Sequence, residues 1–251
     1  MSAGTRLRQI LSPDDPAVEH LWALMDLTFA DPNTVLGLER MQEFLAANRP
    51  GAARRFCILV ATDSARPDAV IGGSVFSYVV RSNCGFSEYL VAERALRGRG
   101  VGRLLVDARK DVLDTEARRL GHEACRGVFI EVDHPDRAPV HFSAIERETA
   151  FDGWARLRLF DHLGFRRVAV PYVQPPLAPD KQAIDYLDLL FAPWAATAQA
   201  NARIPTSWIL DTLEVIWTAW TPELAPNYLA SLRQRTTADW VSLEPAVQGA
   251  G

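Results

Sequence analysis

The chain has 251 residues, with 27 Lys and Arg against 31 Asp and Glu, which gives a net charge of −4 at pH 7. Hydrophobic residues make up 48% and charged residues 23%, values typical of a globular protein with a sizeable core. The acidic balance argues against a dedicated nucleic-acid-binding protein. Because no apolar run approaches the ~18 residues of a membrane span, we expect a cytoplasmic protein without membrane contact.

The first 50 residues predict one short strand followed by two amphipathic helices. Residues 5–11 are a candidate strand, and residues 13–29 carry apolar side chains on one helical face. A second helix is expected over residues 36–48, where Arg49-Pro50-Gly51 then ends it.

A change of apolar pattern after residue 51 indicates the start of a sheet. Residues 56–61 and 70–80 are rich in β-branched and aromatic side chains, and turn-forming residues 63–68 separate them, so they predict a hairpin. A further strand is expected at 85–92. A long helix is expected from 101 to 120, because its apolar residues follow a helical stripe and Gly121 suits its end.

The following segment continues the alternation of strands and helices. It predicts a short buried strand at 128–132, a helix at 154–162 and two strands at 166–173 and 184–191. This order of elements predicts one α/β domain over residues 1–192.

The remaining residues, 193–251, have a different character. Ile209, Leu213, Ile216 and Trp217 form a helical stripe, and a second helix is expected from about residue 221. We expect a helical C-terminal extension that packs on the core. The alternatives are an interface in a homodimer and a lid over the substrate.

The turn before the long helix carries the most chemical information. It reads Arg97-Gly98-Arg99-Gly100-Val101-Gly102-Arg103. Glycines allow successive backbone N–H groups to approach an anion, and the N-terminus of the following helix adds the positive end of its dipole. The arginines can donate charge-assisted hydrogen bonds to a diphosphate. The turn therefore predicts a site for a phosphorylated ligand.

Other motifs fit the chain less well. The turn lacks the last glycine of a dinucleotide fingerprint and the Gly-Lys-Ser/Thr of a Walker A loop. The stretch Gly72-Gly73-Ser74-Val75-Phe76 fails the last position of a hydrolase nucleophile elbow. The three cysteines are widely spaced, so neither a disulfide framework nor a metal site is expected.

With a strand before it and a helix after it, the turn resembles the Arg/Gln-x-x-Gly-x-Gly/Ala motif of the GCN5-related N-acetyltransferases, the GNAT superfamily. The order of elements over residues 5–191 is similar, and Leu163-Gly164-Phe165 resembles the tripeptide that closes the fourth helix of that family. The resemblance implies an α/β fold with a mixed central sheet flanked by helices. It also implies acetyl-CoA or another acyl-CoA as co-substrate, and it does not cover residues 193–251.

The resemblance further implies which residues hold the co-substrate. The strand end at Leu90, Val91 and Ala92 would pair with the pantetheine arm and help to polarise the thioester carbonyl. The turn would hold the pyrophosphate through the residues of the motif, which are Arg97, Gly98, Arg99, Gly100, Val101, Gly102 and Arg103.

Two positions depart from the family pattern, and one of them is Gly153, which stands where an asparagine is common. Phe160, four residues before Gly164, stands where many members carry a tyrosine that protonates the leaving thiolate. Phe160 would still line the co-substrate cleft. Tyr172 is a candidate replacement acid, although the simpler expectation is that its ring only belongs to the core.

Two carboxylates are candidates for acid–base chemistry. Glu88 lies two residues before Leu90 and hence on the same strand face, where the family often places its base; a salt-bridged glutamate is the alternative. Glu131 ends the fifth strand beside the expected cleft. It could act as a base, recognise a cationic acceptor or be a simple strand-end charge.

Together these observations predict an acyl-CoA-dependent N-acyltransferase, most simply an acetyltransferase, in which an amine attacks the thioester directly. The acceptor would be a small-molecule or peptide amine, with no metal, nucleic acid or membrane involved. One alternative is a non-catalytic CoA-binding regulatory module. Another is an acyltransferase that uses a larger acyl group or a carrier-protein donor.

Overall fold

The computed structural model describes residues 4–142, 152–195, 199 and 202–247. Its strands are β1 Thr5–Ile10, β2 Arg54–Asp63, β3 Arg66–Val79, β4 Cys84–Ala92, β5 Gly127–Asp133, β6 Arg166–Val168, β7 Leu187–Pro193, β8 Arg203–Pro205 and β9 Trp240–Pro245. The helices with both ends in these ranges are α1 Pro16–Asp26, α2 Leu38–Ala46, α3 Val101–Arg119, α4 Gly153–His162, α5 Thr206–Trp220 and α6 Ala225–Arg235.

All nine strands join one mixed sheet in the order β1-β2-β3-β4-β5-β7-β6-β9-β8. The pair β4–β5 is parallel, and the other neighbouring pairs are antiparallel. The connection from β4 to β5 contains α3, as a parallel pair requires a crossover. The predicted fold class, a mixed sheet with helices on its faces, is confirmed.

Two hydrophobic cores cover the two faces of the sheet. One core buries apolar residues of α1, α2, α5 and α6, including Leu21, Phe44 and Trp217. The other buries residues of α3 and α4, including Leu105 and Phe160. The molecule is therefore a three-layer structure, with helices on both sides of the sheet. No helix in the described part of the chain is both long enough and apolar enough to cross a membrane.

The strands near the C-terminus differ from the sequence prediction. The strand predicted at 166–173 ends at Val168, and the strand predicted at 184–191 begins only at Leu187; a single bridge joins Gln174 to Ile184 between them. Residues 203–205 and 240–245 form β8 and β9, which the prediction missed. These strands are short, and β9 has only two fully buried side chains, so their apolar signal is weak.

The C-terminal segment packs directly on the sheet. Trp220 of α5 makes an edge-to-face contact with Phe86 of β4, with ring centroids 5.7 Å apart. The hydroxyl of Thr212 donates to the Ser82 hydroxyl at 2.8 Å, just before β4 begins. The strand β9 also pairs with β6, inside the main sheet. The division into a domain of residues 1–192 and an extension stays a prediction.

We expect the extension and the sheet to unfold together, which Trp217→Ala would test. Trp217 is 1% exposed, and removal of a buried tryptophan typically costs about 3–5 kcal/mol of unfolding free energy. Chemical denaturation followed by circular dichroism should show one transition at lower denaturant. The control is Trp240→Ala, because Trp240 is 49% exposed and should cost far less. Two transitions, with the sheet unaffected, would contradict this expectation.

Candidate active site

The central opening of the sheet lies between β4 and β5. The two strands pair only where Gly85–Ser87 face Val128–Ile130. Beyond Ser87, β4 continues to Ala92 paired with β3 alone, while β5 continues to Asp133 paired with β7. Among the described strands, none pairs with the edge of β4 that faces β5 over the last five residues of β4, and backbone polar groups there can meet a ligand.

A β-bulge lies where the pairing ends. Val75 of β3 faces Tyr89, but the next residue, Phe76, faces Ser87, so Glu88 is the extra residue of the bulge. Bulges bend a strand and redirect its side chains, and they are common beside active sites. The bulge thus places Glu88 at the point where β4 separates from β5.

A cleft of about 590 Å³ fills this opening. Its apolar walls include Phe29, Tyr89, Ile130 and Leu187. Its polar side chains are Thr34, Glu88, Glu131, Asp133, Arg156 and Gln174. Mostly apolar walls with a few converging polar groups are typical of small-molecule sites.

A second cavity continues the cleft toward the start of α3. Val91, Ala92, Arg97, Gly102 and Leu159 belong to its lining. Four residues line both cavities, namely Phe29, Leu90, Arg156 and Phe160. The two cavities are therefore adjacent, and together they form a groove that extends from the glycine turn to the carboxylates with these four residues at the junction.

The glycine turn has the geometry of an anion site. Gly98 and Gly100 have φ of 75° and 87°, and Gly100 caps α3 without any side-chain hydrogen bond. A Cβ atom added at Gly98, Gly100 or Gly102 would meet no atom within 4 Å, so the space above these amides is open. Because first-turn N–H groups lack carbonyl partners within their helix, they can bind an anion.

The three arginines of the turn are placed differently from one another. Arg97 lines the groove, and its Nε donates to the Ala92 carbonyl at 3.4 Å. Arg103 is exposed and pairs with Asp107 at 3.0 Å, one turn further along α3. Arg99 is exposed to solvent beside the turn. Arg97 is thus the arginine closest to the groove interior.

Glu88 is a buried carboxyl with one unsatisfied oxygen. The hydroxyl of Ser77 donates to Oε1 at 2.7 Å, and the guanidinium of Arg54 lies 3.6 Å from the same oxygen. Among the described residues, no partner reaches Oε2. Burial raises the pKa of Glu88 to about 7, although Arg54 opposes this shift. A carboxyl with such a pKa can exchange protons near neutral pH.

Glu131, which is half-buried, and Tyr172, which is buried, form a hydrogen-bonded pair. The Tyr172 hydroxyl donates to Oε1 of Glu131, and its ring lies 5.9 Å from that of Trp217. Burial raises the pKa of Glu131 to about 8; the nearby carboxyls of Glu88 and Asp133 raise it further, against the hydrogen bond from Tyr172. Burial also raises the pKa of Tyr172, so its phenol keeps its proton.

Phe160 lies between the two parts of the groove. It is buried, and its ring packs edge-to-face on Phe165, with centroids 5.3 Å apart. Because it has no hydroxyl, it cannot donate a proton at this position.

Several site residues were missed by the sequence reasoning. Arg109 is fully buried on α3, where its Nη1 donates to the Ser87 hydroxyl at 2.6 Å. Its position could have been noticed, because it continues the apolar row of Val101, Leu105 and Leu113 at four-residue spacing. Arg54 and Gln174 left no comparable signal, since only the folded sheet brings them to the groove.

The loop between α1 and α2 closes one side of the cleft. The Tyr89 hydroxyl accepts from the Leu36 amide at 2.8 Å and donates to the Thr34 carbonyl at 2.9 Å. Lys181 donates to the Val35 carbonyl at 2.7 Å. These contacts fix the wall that contains Phe29 and Thr34. Within the described residues, no group of three or more His, Cys, Asp or Glu side chains is placed to hold a metal.

The chain resembles solved structures of acetyltransferases. A Bacteroides thetaiotaomicron protein described as a GNAT-family acetyltransferase is 19% identical, with 78% of this chain and 90% of that chain covered and a TM-score of 0.48. A GNAT-family protein from Desulfovibrio desulfuricans is 15% identical, with coverages of 74% and 96% and a TM-score of 0.47. The ribosomal-protein-S18-alanine N-acetyltransferase of Escherichia coli is 12% identical, with coverages of 75% and 93% and a TM-score of 0.46.

No protein-family model matches the sequence, and no curated protein matches it. Two of these solved structures are described as members of the GNAT superfamily, whose motif the glycine turn resembles.

The raised pKa of Glu131 leads to a testable dependence of stability on pH. The pKa of Glu131 is about 8 in the folded protein, and its ordinary value is 4.5. The protonated carboxyl therefore makes its full contribution to the free energy of unfolding below pH 4.5. That contribution is lost as the pH rises toward 8, by about 1.4 kcal/mol for each pKa unit. Glu131→Gln keeps an acceptor for Tyr172 and cannot ionise.

We therefore expect Glu131→Gln to gain thermal stability relative to the wild type between pH 5 and pH 8. Calorimetric melting of both proteins across this range would measure the gain. The same substitution at the exposed Glu223 serves as the control. A melting difference that does not grow with pH would contradict the assignment of a buried, protonated Glu131.

Proposed function

We propose that this chain is an N-acyltransferase of the GNAT superfamily, which transfers an acyl group from an acyl-CoA, most simply acetyl-CoA, to an amine. The observation that carries the proposal is the pair of adjacent cavities that extend from the N-terminus of α3 to Glu88 and Glu131 at the β4–β5 opening.

The residues at the start of α3 fit a diphosphate. The open space above Gly98, Gly100 and Gly102 leaves room for phosphate oxygens close to the backbone. Arg97 adds a positive charge at the side of the groove. The donor arm would then follow the free edge of β4 at Leu90–Ala92, where backbone groups can pair with amides and polarise a thioester carbonyl.

The carboxyls supply the proton chemistry. As the amine nitrogen bonds to the carbonyl carbon, Glu88 would take the proton that the nitrogen loses through its free Oε2. The carbon–sulfur bond breaks, and the thiolate takes a proton to give free CoA. Phe160 cannot supply that proton, and the Tyr172 hydroxyl is committed to Glu131. Water is therefore the route by which the proton on Glu88 would reach the sulfur.

Release of free thiol from acetyl-CoA in the presence of a panel of amines tests the proposed function. Thiol release that requires an amine, together with the acylated amine in the mass spectrum, would support it. CoA binding without any thiol release would instead identify a binding module. Faster release from longer acyl-CoA donors than from acetyl-CoA would assign a larger acyl group.

We expect Gly102→Leu to weaken CoA binding by about 10-fold or more, or about 1.4 kcal/mol, because its side chain would occupy the space of the diphosphate. The folded protein offers room for this side chain, and leucine favours a helix over glycine, so stability should be retained. Calorimetric titration with CoA measures the effect. Gly37→Leu is the matched control, since Gly37 starts α2 and is equally open. An unchanged affinity in folded Gly102→Leu would refute the proposed diphosphate site.

We expect Glu88→Gln to lower kcat roughly 10²- to 10⁴-fold while CoA affinity is retained. In the wild type, the rate should rise with pH through about 7, where Glu88 loses its proton. Ser77→Ala removes the hydroxyl that stabilises the ionised form, so it should move this midpoint to higher pH. Steady-state pH profiles measure both effects. A near-normal kcat in Glu88→Gln would exclude Glu88 as the base.

A further inference from the structure

We infer that the amine acceptor is a short alkyl diamine, whose reacting amine lies at Glu88 while its second, positively charged nitrogen is bound by Glu131. This inference rests on the proposed function and names the substrate class of the same cleft.

Among the described residues that line the cleft, Glu131 has no cationic partner. Asp133 pairs with Arg156 at 2.9 Å, and Arg54 lies 3.6 Å from Oε1 of Glu88. No lysine or arginine of the described chain forms an ion pair with Glu131, whose hydrogen-bond partner is the neutral Tyr172. An ammonium in the cleft would supply an opposite charge, because a nearby cation favours the ionised form of a carboxyl that burial otherwise keeps protonated.

Two buried polar side chains of this cleft each have one atom without a hydrogen-bond partner in the described part of the chain. Glu88 is 1% exposed at its side chain, and its Oε2 has no hydrogen-bond partner among the described residues. Gln174 is 3% exposed, and its side-chain nitrogen is likewise without a partner. Because a side-chain amide can present either its oxygen or its NH₂ group, Gln174 can turn its oxygen to an ammonium. The cleft therefore offers hydrogen-bond acceptors at more than one point.

The two carboxyls have separate neighbours. Glu88 adjoins Leu90, which also lines the donor groove, so an amine at Glu88 lies toward the donor. Glu131 belongs to β5 and accepts a hydrogen bond from Tyr172. It lies on the side of the cleft that Leu187 of β7 also lines. Each carboxyl can thus bind one nitrogen of the same molecule.

The remaining walls suit a hydrocarbon chain. Phe29, Tyr89, Ile130 and Leu187 are apolar or present an aromatic ring, so methylene groups between the two nitrogens would be buried against them. An amino acid of the same length would bring a carboxylate instead of an ammonium to Glu131, and the nearby carboxyls of Glu88 and Asp133 would repel it. The chemistry therefore favours diamines over monoamines and over amino acids.

The test compares amine acceptors of equal chain length. The donor, acetyl-CoA, is saturating, and the release of free thiol is measured. The acceptors are 1,4-diaminobutane, n-butylamine and 4-aminobutanoate, with 1,3-diaminopropane and 1,5-diaminopentane as length variants. We expect kcat/KM for the best diamine to exceed that of butylamine by about 10-fold or more, with aminobutanoate poorest. In Glu131→Gln the ratio should fall toward one through a higher KM for the diamine.

The control variant is Glu223→Gln, which removes an exposed carboxylate and should preserve the preference. Thiol release with equal kcat/KM for butylamine and the diamines would overturn the inference while the proposed function stands. A diamine preference that survives in Glu131→Gln would also overturn it.

Calorimetric titration of 1,4-diaminobutane into the CoA-bound protein gives a readout that does not need turnover. Saturable binding that Glu131→Gln weakens would support the cation site, and absence of binding would overturn it. If no amine releases thiol, the proposed function fails, and this titration alone decides whether the cleft binds a diamine.

Discussion

The separation of β4 from β5 is the constraint on which the site depends. A parallel pair shares its backbone hydrogen bonds along its whole length unless something interrupts it. Here the bulge at Glu88 bends β4, while β5 continues to Asp133 paired with β7 on its other edge. The free edge of β4 then lies in a groove rather than against a neighbouring strand. The same interruption that weakens the sheet at its centre creates the space in which a ligand can pair with the backbone.

Buried charges surround this interruption on both faces of the sheet. Arg54 and Arg109 are both deeply buried, and burial lowers the pKa of each to about 10, while the charge of Glu88 opposes this shift. In the low dielectric of the protein interior, the charge of Glu88 stabilises the two buried guanidinium groups, and they stabilise the ionised form of Glu88 in return. On the face of the sheet that α5 covers, Trp217 of the C-terminal segment packs against Tyr172, and Tyr172 donates a hydrogen bond to Glu131. A segment outside the resemblance thus supports the orientation of a site carboxyl.

The features that the sequence predicts correctly are those that depend on residues close to each other in the chain. The helical stripe of α3 and the glycines before it follow from neighbouring residues, and the structure places them as a helix with an uncapped start. Glu88 was assigned to the face of Leu90 by simple alternation, but the bulge that sets its position depends on β3, far from it in sequence. Tyr172 was expected within a strand and lies beyond the end of β6. The pairing of β6 with β9 joins two strands that are far apart in the sequence. β6 has three residues and β9 has six, and neither strand carries a local sequence signal for this pairing.

The place of β9 in the sheet has a consequence for how the protein is made. Residues 166–167 of β6 pair on one side with β7, and residues 166–168 pair on the other side with residues 243–245. A ribosome must therefore synthesise nearly all of the described chain before β6 obtains its second neighbour. Until then, the edge of β6 and the apolar face that α5 later covers are exposed to other molecules in the cell. The nascent protein is for that interval a natural client for chaperones, and slow translation of the last fifty residues would lengthen it.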